Sequence, residues 1–69
     1  MDRYYVNKNP QGNGDHEVHK TGCSYMPYTE NRIYLGEHAS CYTAVAKAKK
    51  DYYPTSDGCA HCSPLCHTR

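Results

Sequence analysis

A chain of 69 residues with net charge +1, eight tyrosines and neither Phe nor Trp has room for one domain, near the size at which a hydrophobic core alone stops sufficing. Its Leu, Ile and Val are confined to Val6, Val18, Ile33, Leu35, Val45 and Leu65, which excludes a large aliphatic core and leaves the tyrosines to supply bulk. The near-neutral charge, with no low-complexity tract and no block of like charge, excludes a polyelectrolyte tail and argues against a strongly basic nucleic-acid binder.

Tyr4-Tyr5-Val6, aromatic and β-branched, is predicted as a first short strand. Residues 7–15, rich in Asn, Gly and Pro, form a turn segment, after which Glu17-Val18-His19 returns as the second strand of a hairpin. Residues 20–31 read as an irregular connection. Arg32-Ile33-Tyr34-Leu35 is a third strand closed by Gly36, with Ile33 and Leu35 on one face. A helix is expected from the N-cap Ser40 to about Tyr52, with Cys41, Val45, Ala48 and Tyr52 as its apolar stripe. Lys49 and Lys50 near its end suit the helix dipole, and Pro54 stops it. Thr55-Ser56-Asp57-Gly58 is then a turn, and the tail from Ser63 is too short for an element of its own. The expected fold is a single α+β domain over residues 1–69, with a three-stranded antiparallel sheet and one helix.

So thin a core needs a staple, and five cysteines with five histidines offer one. Cys59-x2-Cys62 has the spacing at which two thiolates reach one ion from a tight turn. His19-x3-Cys23 supplies a second pair, and closing the chain between the pairs ties the hairpin to the segment after the helix. His19, Cys23, Cys59 and Cys62 are therefore the expected ligands of one zinc ion, which makes the fold zinc-stapled. Cys41 lies on the apolar stripe and reads as core. Three roles stay open for Cys66: fourth ligand in place of His19, disulfide partner of Cys41, or free thiol. Met1 to Val6 carries no apolar run, so neither a signal peptide nor a membrane span is expected. A cytoplasmic, reducing location follows, where cysteine clusters bind metal more often than they pair.

Tyr5-Val6-Asn7-Lys8-Asn9, His19-x3-Cys23, Asn31-Arg32-x-Tyr34, the helix from Ser40 and Cys59-x2-Cys62 span most of the chain. In these features it resembles the Ada-type metal-binding domain family, in a small bacterial version. The resemblance implies a three-stranded sheet with a helix and zinc bound between the two ligand pairs. The DNA-repair member of that family accepts a methyl group on the first cysteine of a Cys-x3-Cys pair. Here His19 stands at that position, and an imidazole is no thiolate acceptor, so the reaction is not carried over.

The expected function is a metal-binding structural or interaction module without catalysis of its own, monomeric, whose partner is a protein or nucleic acid. Nucleic-acid binding is the alternative, with Lys20, Arg32, Lys47, Lys49, Lys50 and the tyrosines as its surface. A thiol redox role for Cys59 and Cys62 is a second alternative. It fits poorly, because such a pair works from the start of a helix after a strand. Zinc hydrolysis needs an open coordination position beside a base, and a site closed by its own ligands gives Glu17 or Glu30 nothing to act on.

Overall fold

The structure is a computed structural model that describes residues 1–68. Strands β1 (Asp2–Asn7), β2 (His16–Lys20), β3 (Arg32–His38) and β4 (Ser56–Gly58) and one helix, α1 (Cys41–Asp51), follow in the chain order β1, β2, β3, α1, β4. The expected hairpin is present: β1 and β2 pair antiparallel with Tyr5 opposite His19 and Val6 opposite Val18. The third strand runs on β1's other side and continues past its expected end at Leu35 to His38. Gly36 allows this, because at a φ of +98° it takes a conformation that L side chains disfavour, next to the register shift between Tyr4 and Tyr5.

The sheet has four strands in the order β3-β1-β2-β4 and is mixed, which corrects the expected three-stranded antiparallel sheet. The fourth strand is Ser56-Asp57-Gly58, which reads as a turn because it has neither β-branched nor aromatic residues. Tertiary context overrides that composition: β2's free edge accepts it in parallel, with Val18 opposite Gly58, and all three of its residues are buried. Structure also extends past Ser63. Pro64–Cys66 forms a 3-10 turn, and Thr68 donates from its backbone N–H and its hydroxyl to the Asp57 carboxylate.

The helix packs on one face of the sheet, where Tyr4, Val6, Val18 and Leu35 meet Cys41, Ala44, Val45, Ala48 and Cys66. The stripe holds at Cys41, Val45 and Ala48 but not at Tyr52, which is 42% exposed. Tyr53 packs against the core in its place, because the chain leaves helical geometry at Tyr52, where φ is −130°. Ser40 is the N-cap, although its side chain makes no capping bond. The tyrosines largely stay out of the core: Tyr4 is buried, whereas Tyr25, Tyr28, Tyr34, Tyr42 and Tyr52 are exposed. Leu65 is also outside the core, at 75% exposure.

Gly58 sits where no side chain fits. A Cβ there would lie 2.6 Å from Cys66 Cβ, 2.8 Å from the Cys66 carbonyl carbon and 2.9 Å from the Ser63 oxygen. Gly58→Ala is therefore expected to cost about 1–3 kcal/mol through overpacking, read as a lower urea midpoint. An unchanged midpoint would show that the tail moves aside freely.

Candidate metal centre

His19 lies on β2 opposite Tyr5, and residues facing each other across a strand pair share a face. Its ring therefore projects from the side of the sheet away from Val6 and Val18, and loops cover it so well that only 1% of the residue is exposed. After Lys20 the chain turns back, with the Cys23 N–H donating to the Lys20 carbonyl. This return delivers Cys23 Sγ to within 3.6 Å of His19 Nδ1. From the other direction β4 delivers Cys59, whose N–H extends the β2 pairing by donating to the Val18 carbonyl. The turn that follows places Cys62 Sγ 4.0 Å from His19 Nδ1. Cys23 and Cys59 sulfurs are 3.9 Å apart. One donor atom from each of His19, Cys23, Cys59 and Cys62 falls within 4.8 Å of all the others, so the four can hold a single metal ion.

Each sulfur also receives a backbone donor. Tyr25 N–H points at Cys23 Sγ (3.4 Å), His61 N–H at Cys59 Sγ (3.4 Å) and Lys20 N–H at Cys62 Sγ (3.2 Å). Such bonds favour thiolates, because a hydrogen bond to the charged form lowers the cost of making it. Without an ion other effects win. Burial, followed by the neighbouring Cys62 and Cys59 thiols, pushes the Cys23 thiol up to about 11 against the pull of the Tyr25 N–H. Burial likewise raises Cys59 and holds His19 below its usual range, which keeps the imidazole neutral. A neutral imidazole is the form that ligates, and a cation supplies the charge that draws protons off crowded thiols.

The remaining ring nitrogen of His19 is informative. Nε2 is buried and makes no hydrogen bond among the described residues, yet it lies 3.5 Å from Glu17 Oε1. Glu17 has no place among the expected ligands. The available signal was its spacing, since residues two apart on a strand share a face. The other histidines near the ligand pairs are occupied elsewhere. His16 stacks on Tyr53 at 3.7 Å and bonds the Asn7 carbonyl through Nδ1, while His61 stacks on Tyr25 at 4.1 Å. The second stack joins the loop after Cys23 to the loop holding Cys62.

Cys66 stands apart from the cluster, joined to Cys41 by a disulfide with a Cα–Cα distance of 6.2 Å. That settles its three open roles and leaves His19 as the fourth donor. The basic surface drawn from Lys20, Arg32 and the helix lysines is not continuous. Lys49 and Lys50 are exposed on α1, whereas Arg32 flanks the opposite side of the sheet, next to Tyr5. No protein-family model, curated protein or solved structure matches the chain.

Proposed function

We propose that the protein is a zinc-stabilised interaction module without catalysis of its own, in which one ion joins the β1–β2 hairpin to the turn after β4. The observation that carries this reading is the size of the donor cage. Tetrahedral zinc with Zn–S of about 2.3 Å and Zn–N of about 2.0–2.1 Å requires sulfurs about 3.8 Å apart and nitrogen about 3.6 Å from sulfur. Three of the six separations, at 3.9, 3.6 and 4.0 Å, fall within about 0.4 Å of those edges, and all six are within 4.8 Å. Three thiolates and an imidazole are borderline-soft donors that suit zinc over magnesium or calcium. They also fill a four-coordinate shell, which supports a structural rather than a hydrolytic role. The Cys59–Cys62 pair lies in a turn after β4, with no helix beginning at Cys59, which weighs against a redox motif.

As for setting, no described helix is long and apolar enough to cross a membrane. The Cys41–Cys66 bond is a feature of oxidising environments, in tension with the cytoplasmic location expected from the N-terminal sequence.

Cobalt reports the geometry directly. Replacing zinc by Co(II) is expected to give strong visible bands of a tetrahedral ion with thiolate-to-metal charge transfer. The weak absorption of a six-coordinate ion would reject the assigned cage.

Glu17 supports the site from outside it. With Nδ1 on the metal, His19 Nε2 carries the proton, and Glu17 is the carboxylate positioned to accept it, fixing the ring's tautomer and orientation. Glu17→Ala is expected to weaken zinc affinity about 10–100-fold with the fold retained, measured by competition with a chromophoric chelator. An unchanged affinity would remove Glu17 from the site.

A further inference from the structure

On the side of the sheet away from α1, β1 and β3 form an open trough of about 500 Å³ lined by Arg3, Tyr5, Thr29, Arg32 and Tyr34. Its chemistry is of one kind. The lining offers two guanidinium groups, two phenol rings and a hydroxyl, with no carboxylate among them. The Tyr5 and Tyr34 rings lie 5.2 Å apart at 44°, and the Arg32 guanidinium sits 4.6 Å above the Tyr5 ring. Tyr34 is 50% exposed, so one ring surface is available to a partner. Arg32 is also steadied by donating to the Pro27 carbonyl. Glu37 lies 3.8 Å from Arg3, and both side chains are more than half exposed, so a stronger anion can displace it.

We propose that this face binds single-stranded nucleic acid, with a base stacked on Tyr34 and successive phosphates held by Arg3 and Arg32. A polymer fits better than a compact metabolite, because the trough is open and encloses nothing. An exposed ring beside guanidinium groups matches a strand that alternates planar bases with phosphates. A duplex fits poorly, since its bases are stacked inside and present no face to Tyr34. The proposal does not depend on the zinc reading, because none of the lining residues is among the four metal ligands.

The test uses the full chain as purified, with fluorescein-labelled RNA and DNA single strands of about ten nucleotides and the matching duplex, read by fluorescence anisotropy. Single strands are expected to bind at low salt and the duplex far more weakly. The tighter of the RNA and DNA strands names the natural chemistry. Two phosphate contacts predict a log–log salt slope of about −1.4, so that about a fivefold rise in salt lowers affinity roughly tenfold. Tyr34→Ala is expected to weaken binding about 5- to 150-fold, Tyr34→Phe to keep it, and Arg32→Ala to reduce the slope by about 0.7. The Lys47→Ala/Lys49→Ala variant is expected to leave binding unchanged. Metal content and the amide spectrum outside the trough check that each variant stays folded. Failure of both single strands to bind would overturn the proposal. So would equal binding by Tyr34→Ala, loss in the lysine variant instead, or capture of an acidic peptide with no single strand bound.

Discussion

Cys59→Ser is expected to abolish zinc binding and leave the chain largely unfolded at room temperature. Cys59 is the most deeply buried sulfur of the cluster and stands at the exit of β4. A serine there puts a hydroxyl, a poor zinc ligand, in place of a soft thiolate. The size of the effect follows from two magnitudes. A chain this long has a net stability of roughly 3–10 kcal/mol, whereas structural zinc contributes an apparent ~10–16 kcal/mol to small domains. Removing the second leaves nothing of the first. Zinc content by mass spectrometry and the dispersion of the amide spectrum check this together. A variant that keeps both its ion and its spectrum would show that Cys59 is only a buried apolar residue.

The second large effect lies on the other side of the sheet. The Cys41–Cys66 disulfide spans 25 residues of sequence and ties the start of α1 to the tail that covers β4. The chain-entropy relation for a loop of that length gives about 3.5 kcal/mol. Cys41→Ala/Cys66→Ala, which leaves no unpaired thiol behind, is therefore expected to lower the urea midpoint of the zinc-loaded protein by about 2.3–3.5 M at an m-value near 1–1.5 kcal/mol/M. It is also expected to leave the zinc stoichiometry unchanged, because neither residue belongs to the metal cluster. Loss of the ion in this variant would mean that the two staples are one structure. A midpoint that does not move would mean the bond constrains nothing.

These two effects separate what the residues disclose from what only the fold discloses. The cluster of His19, Cys23, Cys59 and Cys62, which could hold a metal, was legible because ligand spacing is a local property: His19-x3-Cys23 and Cys59-x2-Cys62 each bring two donors together within one turn of chain. Which cysteines would meet across 25 residues was not legible, because the pairing of Cys41 with Cys66 depends on the tail folding back over the helix. β4 is hidden in the sequence for a related reason. Ser56-Asp57-Gly58 has turn composition, and only the unpaired edge of β2 makes it a strand. Tyr52 and Tyr53 exchanged roles at the point where the helix frays, the boundary that periodicity fixes least well. The spacing of Glu17 puts it on the face of His19, but its part beside the ring follows only from the burial of Nε2 and the 3.5 Å approach of its carboxylate.

The tyrosines mark the other difference. Composition made them the natural bulk of the core, yet nearly all the burial falls to Val, Leu, Ala and Cys. The consequence is a core smaller than the sequence promised and a surface richer in rings. The first strengthens the case for a metal staple, and the second supplies the trough between Tyr5 and Tyr34.

The dependence of the fold on one ion is tested most directly by following the amide spectrum of the protein, with its disulfide intact, while zinc is withdrawn by a chelator and then restored. Collapse of dispersion on withdrawal is predicted, with full recovery at one zinc per chain and the largest shifts at His19, Cys23, Cys59 and Cys62. Metal-free protein that holds its dispersed spectrum, and takes up no zinc when it is offered, would contradict the account.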